Sequence, residues 1–107
     1  TTYYHKNDPS SRALAQSIVE RIGQVSGLPV RGAKSDGVLY TNGLAVLRNS
    51  TVPAVLIEVG YINNVKDRQK LLNAEFQQRV ARAIVAGIRG YVEGVLPEDP
   101  LVEVNEN

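Results

Sequence analysis

The sequence predicts an α/β domain: part of a three-layer architecture in which helices flank a mostly parallel, twisted sheet. Three observations predict it. Short apolar segments alternate with long amphipathic ones in the order strand, helix, loop, strand, short helix, long helix, and such an order requires at least one parallel pair. The segment Pro53-Ala54-Val55-Leu56-Ile57-Glu58-Val59-Gly60-Tyr61 is almost continuously aliphatic, the pattern of a strand covered on both faces. Two or three strands are also too few for a stable doubly covered sheet, so upstream strands are expected to be missing and to come from preceding chain or from a partner.

Taken in order, Thr1-Thr2-Tyr3-Tyr4-His5-Lys6 alternates weakly and reads as a strand. A strand placed so early, with no leader, points to an upstream portion that has been cut away. Asp8-Pro9 offers a capping side chain followed by a proline suited to the first helical turn. From Ser10 to about Ser26, Leu14, Ala15, Ile18, Val19, Ile22 and Val25 recur at helical spacing, with Arg12, Gln16, Glu20 and Gln24 on the opposite face. Gly27 is the expected stop. Residues 27–43 hold Gly27, Pro29, Gly32, Gly37 and Gly43 and read as a long irregular loop, a class of segment that tends to be functional. Leu44-Ala45-Val46-Leu47 fits either a strand or a single helical turn.

Beyond the apolar strand, Asn64 with Asp67 three residues on marks a short helix start. Asn73 then caps a second long helix over about 74–95. Its buried stripe is expected to be Phe76, Val80, Ala83, Ile84, Ile88, Tyr91, Val92 and Val95. Gly87, Gly90 and Gly94 weaken that helix and imply close approach to the sheet or to another helix, and Pro97 is the expected terminator. The division is therefore a body of residues 1–97 and an acidic, flexible tail of residues 98–107.

Composition bounds the chemistry. With 107 residues, 43% hydrophobic and 21% charged, the chain has the balance of one small globular domain or part of a larger one. No apolar run approaches the roughly 20 residues of a membrane span, and none resembles a signal peptide. The absence of cysteine excludes disulfides, thiolate catalysis and cysteine-bound metals. The net charge of +1 conceals a basic body and a tail bearing Glu98, Asp99, Glu103 and Glu106. A basic body suits a polyanionic partner, although scattered solvated charge explains it as well.

Glu58 is the candidate catalytic residue. A carboxylate within an apolar strand must shed water, take up a proton or find a cation or donor. Chemistry at a strand end is one reason for it to be there. A structural carboxylate satisfied by backbone donors or by an arginine, Arg31 and Arg48 being nearest in sequence, is the other. His5 stands alone as a histidine, so a two-histidine zinc site cannot be assembled from these residues. Asn63-Asn64 suits substrate binding, but capping explains Asn64. No phosphate-binding glycine loop, Gly-x-Ser-x-Gly elbow or His-Glu-x-x-His helix is present.

Together these segments resemble the C-terminal part of the zinc-dependent N-acetylmuramoyl-L-alanine amidases, the type 3 amidase family. The likeness runs from Thr2-Tyr3-Tyr4 through Asp8-Pro9-Ser10-Ser11-Arg12-Ala13-Leu14-Ala15 and Leu44-Ala45-Val46-Leu47-Arg48. It is most specific over Val52-Pro53-Ala54-Val55-Leu56-Ile57-Glu58-Val59-Gly60-Tyr61-Ile62-Asn63-Asn64 and continues to Tyr91. The resemblance implies a cell-wall hydrolase that cleaves the amide between N-acetylmuramic acid and L-alanine of peptidoglycan. Glu58 matches the family's general base, which deprotonates a zinc-bound water and passes the proton to the leaving amine. The family's zinc ligands, two histidines and a glutamate, precede the portion seen here, so no metal ligand is assigned in residues 1–107. Arg31 and Lys34, in the 27–43 loop, are the candidate substrate-binding residues. The implied partners are peptidoglycan and the upstream part of the same domain or a complementary chain, with no nucleic acid and no membrane span. The implied location is the bacterial envelope, periplasmic or extracellular. The alternative is a non-catalytic peptidoglycan-binding or regulatory module on the same scaffold.

Overall fold

A computed structural model describes residues 1–28 and 31–94. In chain order the elements are β1 (Thr2–Tyr4), α1 (Pro9–Ser26), β2 (Ala33–Ser35), a 3₁₀ turn (Asp36–Val38), α2 (Ala45–Arg48), β3 (Val55–Ile57), α3 (Val65–Leu71) and α4 (Ala74–Glu93). The first long helix begins where its caps dictate. Asp8 accepts a hydrogen bond from the Ser11 amide, Pro9 occupies the first turn, and Gly27 closes the helix at φ 66°. Asn64 and Asn73 cap α3 and α4 in the same way, accepting from the amides of Asp67 and Phe76.

The sheet has the order β2-β1-β3. The expected parallel pair is β1 with β2, in the register Thr2↔Ala33, Tyr3↔Lys34 and Tyr4↔Ser35. It is formed by a β-α-β crossover through α1. The sheet is mixed rather than mostly parallel, because β3 runs antiparallel to β1 with Thr2 opposite Ile57 and Tyr4 opposite Val55. The chain reaches β3 through the 3₁₀ turn and α2, with no long helix to carry it back to the starting end of the sheet. The segment expected to be one long loop, 27–43, contains β2 and the 3₁₀ turn. Three-residue strands separated by glycines carry too little periodicity to read as strands. The ambiguous Leu44–Leu47 stretch resolves as the helical turn α2.

Alternation places Thr2, Val55 and Ile57 toward α1, and Tyr3, Lys34 and Leu56 on the opposite face. The helix α1 packs on all three strands and α4 packs along α1. The core is Leu14, Ile18, Ile22, Phe76, Val80 and Ala83, with Val55, Ile57 and Val59 packed against it. The expectation that β3 is buried on both faces is not met. Leu56 is 36% exposed, because no described helix covers the second face of the sheet.

The helix interface also revises the expected stripe of α4. Phe76, Val80 and Ala83 are buried as expected, but Ile88 and Val92 are 45% and 74% exposed. Ala86, Gly87 and Gly90 take their place on the buried side. A Cβ on Gly87 would lie 2.7 Å from the Ile18 Cα, so the two helix backbones approach where only glycine fits. Ser17 locks this crossing by donating to the Gly87 carbonyl at 2.7 Å. The close approach expected of these glycines is met at Gly87 and at Gly90, where a Cβ would lie 2.8 Å from the Arg21 guanidinium, but not at Gly94, which has nothing within 4 Å. The helix ends at Glu93, with Gly94 as a left-handed cap at φ 71°, before Pro97 is reached. Val95, Pro97 and the 98–107 tail lie outside the described residues.

Candidate functional site

Glu58 directly follows β3, at the end of the sheet where Thr1 and Gly32 lie. Its backbone is held by pairing, with the Glu58 amide donating to the Thr1 carbonyl at 2.8 Å. Its side chain is half-buried. Among the described residues, no hydrogen bond or ion pair reaches its carboxylate. A structural carboxylate in this setting would hold an arginine or several N–H donors, and the two proposed partners do neither. Arg48 donates to the carbonyls of Asn42 and Gly43, at 2.8 and 3.4 Å. Arg31 lies over the Tyr61 ring, its guanidinium carbon 5.6 Å from the centroid, a cation–π distance.

Glu58 borders a cleft of about 110 Å³ lined also by Leu28, Arg31, Tyr61, Asn64 and Asp67. Its polar lining sets it apart from the larger groove of about 250 Å³ between α1 and α4, which Arg21, Arg79 and Arg82 border. That groove contains no carboxylate. Tyr3, on the same open sheet face as Glu58, has its phenol pKa raised by burial and then by the negative charges of Glu58 and Tyr61.

Of the predicted substrate residues, the structure brings Arg31 to the cleft and leaves Lys34 aside. Lys34 is exposed on β2, on the open face beside Tyr3, and does not line the cleft. Asn64 caps α3, accepting from the Asp67 amide at 3.0 Å, while lining the cleft.

His5 lies at the other end of β1. Its Nδ1 is 3.0 Å from Oδ2 of Asp36, whose side chain is 0% exposed. The Asp36 carboxylate also accepts from the amides of Lys6 at 2.9 Å and Leu44 at 2.8 Å. Burial pushes its pKa up, but the bonds from His5, Leu44 and Lys6 outweigh it and hold the pKa below the usual carboxylate value. No group of three or more His, Cys, Asp or Glu side chains among the described residues could hold a metal ion. With the only histidine of the sequence committed to Asp36, the donor set present does not fit a zinc site.

Sequence reasoning missed two site residues, Tyr61 and Asp67. The Asn64-x-x-Asp67 spacing signalled a cap, and the same spacing turns Asp67 back toward the strand exit. Asp36 was missed as well, and only the β1–β2 register reveals it.

The fold and cleft define an α/β domain that presents an unpartnered, reachable acid at one end of its sheet. The chain belongs to the N-acetylmuramoyl-L-alanine amidase family, Amidase_3, which it matches over residues 1–90. It is 41% identical over 100 residues to an uncharacterized cell wall amidase of Bacillus anthracis, an alignment that covers 87% of this chain and 18% of that protein. It is 32% identical over 81 residues to the N-acetylmuramoyl-L-alanine amidase AmiC of Escherichia coli, covering 76% of this chain and 18% of AmiC. Among solved structures, the N-acetylmuramoyl-L-alanine amidase of Clostridium difficile 630 superposes with a TM-score of 0.76 at 31% identity, covering 86% of this chain and 47% of that one. The CwlD amidase of Clostridioides difficile, solved in complex with the GerS lipoprotein, gives 0.78 at 28% identity, covering 88% and 46%. The chain thus spans less than half the length of these relatives.

Proposed function

We propose that the full-length protein is a cell-wall hydrolase of the bacterial envelope, acting in the periplasm or outside the cell. It cleaves the amide between the lactyl group of N-acetylmuramic acid and L-alanine of the peptidoglycan stem peptide. Residues 1–97 supply the C-terminal part of the catalytic domain. The observation that carries this reading is Glu58, which lines a polar cleft and whose carboxylate has no hydrogen bond or ion pair among the described residues, in a chain of the amidase family. Glu58 acts as the general base: it takes a proton from the attacking water and returns it to the departing amine of L-alanine. Its half-buried setting keeps it within reach of solvent while limiting competing hydration. Arg31, stacked on Tyr61 at the cleft rim, contacts the glycopeptide, and Lys34 extends that contact along the open sheet face.

The resemblance implies zinc in the complete domain. Since the residues here do not compose its site, the ligands belong to the rest of the protein, and the 107 residues alone are inactive. Digestion of purified peptidoglycan tests the reading, with new N-terminal L-alanine measured against new reducing sugar. The amidase reading requires new L-alanine amines without new reducing ends. Reducing ends alone, or no product from full-length protein containing stoichiometric zinc, would overturn it. Stoichiometric zinc bound tightly by the 107 residues would refute the assignment of the ligands elsewhere.

A further inference from the structure

The segment that follows Glu58 has no regular structure of its own, and this poses a positioning problem. On its N-terminal side Glu58 is anchored by pairing with Thr1. On its C-terminal side Val59 and Gly60 belong to no strand or helix, so β pairing stops at the residue whose side chain must be aimed. We propose that Asp67, on the first turn of α3, is the positioning residue that fixes this exit and with it the direction of Glu58. The proposal rests on the reading of Glu58 as the base.

The placement of one atom, Asp67 Oδ2, carries it. The Asp67 carboxylate reaches back and accepts a hydrogen bond from the Tyr61 amide at 2.9 Å, three residues beyond Glu58. Gly60 is shaped for that reach: a Cβ there would lie 3.2 Å from Asp67 Oδ2, tighter than a side chain ordinarily tolerates. Asp67 is itself fixed, because its amide is bonded to the Asn64 side chain at 3.0 Å. The neighbouring Arg68 donates to the Ile62 carbonyl at 3.1 Å. The first turn of α3 therefore clamps 61–64 as a unit, and the span from Glu58 to Tyr61 is held at both ends. Misplacing a catalytic group by about 1 Å costs on the order of 100-fold in rate, so a single bond at this place has kinetic weight.

The test uses the full-length enzyme with soluble muropeptide, measuring kcat and KM for Asp67→Ala, Asp67→Asn, Gly60→Ala and Glu58→Gln. Asp67→Ala is expected to lower kcat roughly 10- to 100-fold with KM changed less than about twofold. Asp67→Asn keeps an acceptor oxygen for the Tyr61 amide and is expected to recover to within about threefold of the parent. Gly60→Ala crowds the Asp67 carboxylate at 3.2 Å and is expected to lower kcat measurably, a second reading of the clamp if Asp67→Ala does not fold. Unchanged kcat in both Asp67→Ala and Gly60→Ala would overturn the proposal, as would an Asn variant as impaired as the Ala variant. An active Glu58→Gln enzyme would sink the general-base reading instead. An inactive Glu58→Gln beside a fully active Asp67→Ala would sink the clamp alone.

Discussion

Asp36 and Glu58 sit at opposite ends of one short sheet and meet opposite fates. Asp36 is sealed from solvent, and its two oxygens gather three donors from His5, Lys6 and Leu44. It ties the end of β1 to the loop that leads into α2. Glu58 is half-buried, lines a polar cleft, and its carboxylate has no hydrogen bond or ion pair among the described residues. The difference teaches how to tell a structural acid from an available one. Burial of a carboxylate is tolerated when donors replace water. An acid left without donors is costly where water is excluded and useful where substrate enters.

The comparison breaks most visibly at Asp36. Asp36→Ala strands buried donors from two backbone amides and an imidazole, and is expected to cost about 3–5 kcal/mol, measured by urea denaturation. A cost below about 1 kcal/mol would show that the three bonds do not hold the loop. A smaller effect follows from pH. The Asp36 pKa is depressed by its donors despite burial, and that of Asp8 by the hydroxyl and amide of Ser11. Both acids therefore contribute stability that is present above the unfolded value, near pH 4, and is lost as pH falls through their lower folded values. The urea midpoint is expected to hold between neutral pH and about 5 and to drop below about 4, with part of the drop absent in Asp36→Asn. The smallest effect is at Asp8. It caps α1, and its second oxygen accepts from the Ser11 hydroxyl at 2.6 Å, while that hydroxyl oxygen accepts the Ala54 amide at 2.9 Å. Asp8→Ala is expected to cost about 1 kcal/mol, read from the thermal midpoint.

The helices were legible because their signals are local. Asp8-Pro9, Asn64-x-x-Asp67, Asn73 and Gly27 each act within one turn of the residue they cap, and the stripe from Leu14 to Ile22 is buried as its spacing requires. Val25 is the exception, at 37% exposed, since it borders the open groove between α1 and α4 rather than the sheet. The strands were less legible. β2 is only Ala33-Lys34-Ser35, and nothing local distinguishes it from loop until β1 is there to pair with. The long apolar run at 53–61 overstated its burial, because hydrophobicity reports what a residue tolerates in its whole assembly, not which cover this chain itself provides. At the site, Glu58 stood out as the one charge in that run. Asp67 hid behind its helix-start position, and Arg31 reached the cleft for a reason that only the position of Tyr61 supplies.

Glu58→Gln in the full-length protein tests the account's central claim most directly, with specific activity on peptidoglycan and thermal midpoint measured on the same preparation. The account predicts a loss of about 100- to 10,000-fold in activity with the midpoint little changed, since glutamine breaks no hydrogen bond or ion pair of the carboxylate. Retained activity, or a loss that follows a fall in the midpoint, would contradict it and return Glu58 to the same structural role as Asp36.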